Sequence, residues 1–281
     1  MRVLVFLDGS VEDPTSPQIR ADDLGLQRGD GVFETILVRD GHPRELRPHL
    51  DRLRRSAAML DLPEQDVHRW QRTVDEVLAR WPRDREMALK LVCTRGSDPA
   101  GEPLAFALGT DVDEKITQAR ATGIAAVTLD RGIDEGLAER APWLLLGAKS
   151  LSYAVNMAAI REANRRGADD AIFLATNGTV LEGPTSSVVI ARDRTLYTPP
   201  AGIGILPGTS QAALFRAAQR AGWHTKVEPL RTEDLRTADG LFLTSSIREI
   251  TRVHTLDGER LPDARELHAE LVAAYESEYR P

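Results

Sequence analysis

Segments with a strand period and segments with a helix period alternate along this chain, but not in the regular cadence of a doubly wound sheet. That order points to an α+β fold. Apolar runs predict strands near 3–7, 31–39, 86–95 and 104–109. Between them, "RPHLDRLRRSAAML" (47–60) sets Leu50, Leu53, Ala57 and Leu60 on one helical face, and a second helix over 64–81 stops at Pro82. The polar stretch "GTDVDEKITQARATG" (109–123) precedes a fresh strand, "IAAVTLD". Two domains are therefore expected: a smaller one over 1–115 and a larger one over 124–281, with a linker at 116–123. In the second, helices over 151–166 and 209–221 end at Gly167 and Gly222, strands lie at 170–175, 187–191, 240–245 and 250–254, and a helix covers 262–279.

Charge and cysteine usage exclude several classes of function. The net charge of -7 argues against a nucleic-acid or anionic-membrane binder, which would carry a basic face. A single cysteine, Cys93, rules out an intramolecular disulfide, and without a His/Cys cluster there is no ordinary zinc site. The first residues, "MRVLVFLDGS", are too briefly apolar for a signal h-region, and no later run is long enough to span a bilayer. The expectation is a cytoplasmic protein acting on a small molecule.

Lysine is scarce. The chain has thirty-two arginines and four lysines, so routine surface charge falls to arginine and each lysine merits inspection. Lys115 and Lys226 have polar company. Lys149 ends the apolar run "APWLLLGAK", where an unpaired ammonium costs several kcal/mol to bury, so it either snorkels to water or is used. In "MALKLVC", strand alternation puts Lys90 on the less apolar face, where water or an acidic ligand meets it.

Three turns carry further candidates. "GIGILPGTSQAALFRAAQRAG" (202–222) is a glycine-rich turn entering an amphipathic helix with Thr209 or Ser210 as its cap; it reads as an ordinary capped helix or as an anion site. In "NGTVLEGPTSSVVI" (177–190), Glu182 precedes the hydroxyls of Thr185, Ser186 and Ser187. It is either a solvated turn acid or the acceptor for a protonated ring nitrogen. "LTSSIREITRV" (243–253) ends a strand in Thr244, Ser245 and Ser246, which make a turn or receive phosphate oxygens.

Taken in order, these segments resemble the fold-type IV enzymes that depend on pyridoxal 5'-phosphate (PLP): branched-chain aminotransferases, D-amino acid aminotransferases and 4-amino-4-deoxychorismate lyases. The resemblance runs from "DDLGLQRGDGVFET" to "SSIREITRV", nearly the whole chain. It implies the two-domain fold of that group and a homodimer. By resemblance, "HLDRL" makes Arg52 the phosphate arginine, Lys149 is the Schiff-base lysine, and Glu182 pairs with the pyridine nitrogen. "LPGTSQ" matches the phosphate cup, implicating Leu206, Gly208, Thr209 and Ser210, and Ser245 and Ser246 match the second phosphate-side turn. The chain departs from the family where Leu24 replaces an arginine, where Ser187 replaces an asparagine beside Glu182, and at Thr209, Ser210 and Gln211, which stand for isoleucine, threonine and arginine.

Within that group, D-amino acid aminotransferases trap the substrate carboxylate with an arginine and a histidine just after the "TRG" strand. Here that stretch offers Ala100 and Glu102, and the trap is absent. The run Leu89, Lys90, Thr94, Arg95, Gly96 and the pair Phe33 and Thr35 resemble the lyases more closely. The resemblance thus implies conversion of 4-amino-4-deoxychorismate to 4-aminobenzoate and pyruvate, a step in folate precursor synthesis. Lys149 and Thr35 would be catalytic, and Lys90, Arg95 or Arg248 would attract the dicarboxylate. The alternatives are an aminotransferase acting on D-amino or branched-chain L-amino acids and, in a different class, a PLP- or nucleotide-binding protein without turnover.

Overall fold

Every strand pairing in the first part of the chain is antiparallel. The computed structural model describes residues 1–97 and 102–279. It divides into two units: Met1–Asp113 with Ala148–Tyr153, and Glu114–Gly147 with Ala154–Pro281.

The first unit holds a six-stranded sheet. Its strands are β1 (Arg2–Phe6), β2 (Val11–Glu12), β3 (Gly31–Arg39), β4 (His42–Pro43), β5 (Met87–Thr94) and β6 (Ala105–Asp111), in the order β2-β1-β6-β5-β3-β4. A short helix, α1 (Leu24–Arg28), is capped by Asp23, whose carboxylate accepts from the amides of Gly25 and Leu26. Helix α2 (Leu46–Met59) lies on β3, and α3 (Val67–Leu78) lies on β1 and β6. The helical spacing works as the sequence suggests: Leu50, Leu53 and Ala57 are buried on one face of α2. Trp70 of α3 is fully buried, and its indole N–H donates to Gln65 Oε1 at 3.1 Å.

The second unit is built on a mixed sheet. Its strands are β7 (Ile124–Asp130), β8 (Asp170–Leu174), β9 (Ser187–Arg192), β10 (Thr195–Thr198), β11 (His224–Val227), β12 (Gly240–Ser245), β13 (Glu249–Leu256) and β14 (Glu259–Arg260). They run β11-β10-β9-β12-β13-β7-β8, with β14 paired to β13, and β7 is parallel to both β8 and β13. Both faces are covered, which is why these strands read as continuous apolar runs. Val188, Ile190, Leu241 and Leu243 pack with Leu230 and Leu235 on one side; Val189, Ala191 and Phe242 pack on the other against Leu214 of α7 (Thr209–Arg220) and Leu271 and Tyr275 of α9 (Arg265–Ser277). The remaining helices are α4 (Glu114–Thr122), α5 (Leu137–Arg140), α6 (Ala154–Arg165) and α8 (Thr232–Thr237).

Three expectations differ from the structure. The stretch 116–123, read as a linker, is most of helix α4, which lies against β13; none of its residues is fully buried, so it lacks an apolar stripe to betray it. The helix expected from 151 begins at Ala154, and 148–153 belongs with the first unit. The hairpin from β9 to β10 went unread because Asp193 and Arg194, both at positive φ (49° and 54°), make its turn without glycine or asparagine. Trp70→Ala is expected to destabilise the first unit by about 3–5 kcal/mol, the range for a buried tryptophan replaced by alanine. Chemical denaturation followed by hydrogen exchange at α3 amides checks this.

Candidate active site

Lys149 is positioned by backbone pairing to β3. The Phe33 amide donates to the Lys149 carbonyl at 3.0 Å, the Leu151 amide donates to the Gly31 carbonyl at 2.8 Å, and the Lys149 amide donates to Ser56 Oγ on α2 at 3.0 Å. Its ammonium lies 4.5 Å from the centre of the Phe33 ring and 5.7 Å from that of Tyr153. These two rings meet edge to face at 5.1 Å. The half-buried lysine is therefore held against aromatic carbon. Lys90 joins the same ring from β5, its Nζ 4.8 Å from the Phe33 centre. It is exposed as a residue, yet desolvation of its ammonium holds its pKa below the ordinary lysine value. Thr35 is the register partner of Lys90, so the two side chains share a face of the sheet.

Beside this group sits a buried charge cluster. Glu34, wholly buried, accepts from Arg52 Nε at 2.7 Å and Nη2 at 2.6 Å and from His49 Nδ1 at 2.7 Å. Burial opposes ionisation of Glu34, but the charges and hydrogen bonds of Arg52 and His49 outweigh it and hold the carboxyl well below the usual range. His49 is held below the ordinary histidine value of 6.5, first by burial and further by the charges of Arg52 and Lys149, against the pull of Glu34. Sequence reading singled out Arg52 alone; the signal for Glu34 was a lone acid inside the apolar strand "GVFETILV".

The second unit carries the acid and hydroxyl turns. Glu182 Oε2 accepts from the Leu206 amide at 3.1 Å. Its neighbours form a tight turn in which the Gly183 amide donates to the Ser186 carbonyl at 2.8 Å, and Asn156 Nδ2 of α6 donates to the Pro184 carbonyl at 2.6 Å. Thr185 is exposed, whereas Ser186 and Ser187 are buried, and the Ser186 hydroxyl has no hydrogen-bond partner among the described residues. The cap of α7 is Gly208, not Thr209 or Ser210, which lie buried in the first turn. The reason is steric: a Cβ at position 208 would sit 2.3 Å from Ser187 Oγ, so only glycine lets the helix start this close to β9. No side chain of the cap residue bonds the first-turn amides.

Ser245 ends β12, and Ser246 is the first residue of the connection to β13. Both arginines expected to reach a substrate have partners inside the fold. Arg248 pairs with the buried carboxylate of Asp170, and Arg95 pairs with Asp30 at 2.7 Å and donates to the Leu60 carbonyl at 2.5 Å. Ala100 lies outside the described residues. Cys93 is buried, which pushes its thiol up to about 11, so it is no nucleophile at neutral pH. Among the described residues no group of His, Cys, Asp and Glu could hold a metal, and no helix is long and apolar enough to cross a membrane.

The first unit thus presents an amine against aromatic rings, and the second, described by itself, an acid held by a backbone amide and serine-lined turns. A profile of the family Amino-transferase class IV matches residues 31–256. The chain belongs to the class IV aminotransferases. This class IV chain is 46% identical, over 97% of its length and 98% of the relative's, to the bifunctional aminodeoxychorismate lyase / D-amino acid transaminase of Mycobacterium tuberculosis. Among solved structures it is similar to the PLP-bound form of a hypothetical aminotransferase from Mycobacterium tuberculosis (TM-score 0.95, 46% identity, 100% of both chains). A fold IV-transaminase from Curtobacterium pusillum is similar as well (TM-score 0.94, 41% identity, 99% of this chain and 98% of that one).

The charge cluster of this class IV enzyme has a pH signature. Because the folded-state pKa of His49 is depressed, the unfolded chain takes up a proton there first as pH falls. The stability contributed is full above 6.5 and declines below it. His49→Gln is expected to flatten the fall in thermal midpoint between about pH 7 and about pH 5. Glu34→Gln, which leaves Arg52 buried beside a neutral amide, is expected to cost about 3–5 kcal/mol in a denaturant titration.

Proposed function

We propose that this class IV enzyme is a PLP-dependent lyase that converts 4-amino-4-deoxychorismate to 4-aminobenzoate and pyruvate. The observation that carries the reading is the pair of lysines, Lys149 and Lys90, both within 5 Å of the centre of one phenylalanine ring (4.5 and 4.8 Å) in a chain with only two other lysines. One amine suits the cofactor's aldehyde and the other a substrate carboxylate.

The residues fit the cofactor, each on its own evidence. Lys149 offers the amine, and Glu182, its oxygen fixed by the Leu206 amide, offers a carboxylate to the ring nitrogen. The buried Ser186 hydroxyl lacks a partner and suits a ligand oxygen. Arg52 and the start of α7, with Leu206, Gly208, Thr209 and Ser210, suit the phosphate, as do Ser245 and Ser246 at the second turn. Ser187, pressed against Gly208, supports the helix start. Thr185, exposed at the tip of its turn, is the least enclosed of the assigned set.

When bound, PLP supplies an electron sink for the bond that breaks at the amino-bearing carbon. The rings of Phe33 and Tyr153 wall one side of Lys149, whose amine would be the group to attack and to accept a proton. Lys149 would take the proton from ring carbon 4 of the substrate. Thr35 passes a proton to the departing enolpyruvyl group, and the ring becomes aromatic as pyruvate leaves. Lys90 holds a carboxylate of the dicarboxylic substrate. Arg95 and Arg248, already paired to Asp30 and Asp170, serve the fold on this reading.

A second reading, transamination of D-amino acids, is favoured by the name of the Mycobacterium tuberculosis relative, which joins both activities. In it Lys149 moves the proton from Cα of the amino acid. The reading also places the enzyme in the cytoplasm, in folate precursor synthesis, as a homodimer. The exposed Trp143, Leu144, Val155 and Met157 of the second unit supply apolar surface for such pairing.

The test is turnover of purified protein with aminodeoxychorismate, read as 4-aminobenzoate, beside D-alanine with 2-oxoglutarate. Lys149→Ala is expected to lose both activities by roughly 10³-fold and to be colourless. Thr35→Val is expected to lower lyase turnover by roughly 10²-fold while sparing transamination. Transamination without any release of 4-aminobenzoate from the wild type would overturn the lyase reading.

A further inference from the structure

We infer that Arg120 and Glu249 are positioning residues for the turn that carries Ser245 and Ser246, holding it in the shape that receives the cofactor's phosphate. The inference rests on the PLP reading and extends it to a helix and an ion pair to which no role has been assigned.

The connection from β12 to β13 is short. Ser245 and Glu249 are register partners, so only Ser246, Ile247 and Arg248 lie between them. Its closing residue, Glu249, stands at φ 57°, a left-handed conformation in which three-residue hairpin loops ordinarily use glycine. A glutamate there is strained, so its side chain must repay the position with a contact. That contact is Arg120 of α4: Nε lies 3.3 Å from Glu249 Oε2, and the two side chains are only 15% and 10% exposed. The same guanidinium donates to the Ile247 carbonyl from Nε at 3.0 Å and from Nη2 at 2.5 Å. Arg120 thus grips the middle of the connection and its end together.

The next residue is tied from another direction. Arg248 pairs with the buried Asp170 of β8, its carbonyl accepts from Thr251 Oγ1 at 3.1 Å, and its amide donates to Ser245 Oγ at 3.4 Å. Ile247, Arg248 and Glu249 are therefore all fixed by groups outside the connection or across it. Charge-assisted bonds sheltered from water set orientation as well as distance. A connection held this way presents its hydroxyls preformed, so an anion does not have to order it on binding.

The experiment separates phosphate positioning from support of the hairpin. PLP and pyridoxal, which lacks the phosphate, are titrated by visible absorbance into the full-length apo-protein, wild type beside Arg120→Ala and Glu249→Gly. Both variants are expected to weaken PLP binding by about tenfold or more while changing pyridoxal binding by less than about twofold. Glu249→Gly relieves the left-handed strain as it removes the carboxylate, so it carries the test if Arg120→Ala does not fold. Equal weakening of both aldehydes, or unchanged PLP binding in Glu249→Gly, overturns the inference. A wild type that binds PLP no better than pyridoxal overturns the phosphate reading itself and the inference with it, an outcome distinct from the other two.

Discussion

The backbone pairing of residues 149–151 to β3 is the constraint on which the first unit's chemistry depends. Either side of it the chain belongs to the second unit, and only 148–153 returns to the first unit's sheet. Two amide-to-carbonyl bonds and the Ser56 hydroxyl fix the main chain at Lys149. Gly31 makes this possible. A Cβ there would come 2.6 Å from the Cys93 carbonyl oxygen and 2.7 Å from Leu151 Cδ1, so any larger residue would press on the backbone of β5 and on the Leu151 side chain. Because Phe33 donates the amide that anchors Lys149 and also carries the ring beneath its ammonium, register and chemistry are one feature.

The buried cluster of Glu34, His49 and Arg52 sets the electrostatics near it. A lone carboxylate at zero exposure would be protonated, but two charge-assisted bonds from one planar guanidinium keep Glu34 ionised. The arrangement also works in reverse. With Nε and Nη2 facing Glu34, the plane of the Arg52 guanidinium is set by the fold itself. Burial holds the His49 pKa down against the pull of Glu34, to which its Nδ1 is bonded.

What the sequence disclosed and what it hid divide along physical lines. The strands and long helices were legible because their apolar periods face filled cores, as with Leu50, Leu53 and Ala57 of α2 or Val188 to Ala191 of β9. Lys149 stood out because a charge in an apolar run demands a reason. Helix α4 was hidden because it buries no residue fully, and with it went Arg120, whose partners at Ile247 and Glu249 are more than a hundred residues away. Asn156 escaped for a similar reason: a polar residue early in a helix looks solvated until the Pro184 carbonyl is seen beside it. Gly208 as the cap of α7 was masked by Thr209 and Ser210, better cap formers by composition, because the approach of Ser187 is a tertiary fact.

The scarcity of lysine acquires a meaning once the partners are known. Arg52, Arg95, Arg120 and Arg248 each meet carboxylates or carbonyls with a planar fork, and each holds something in place: a strand acid, the end of a helix, a hairpin connection, a sheet edge. A guanidinium suits that work because it keeps its charge at any pH the fold survives. Lys149 and Lys90 share the Phe33 ring instead, and desolvation holds the Lys90 pKa below the ordinary lysine value. The chain thus gives its structural ion pairs to arginine.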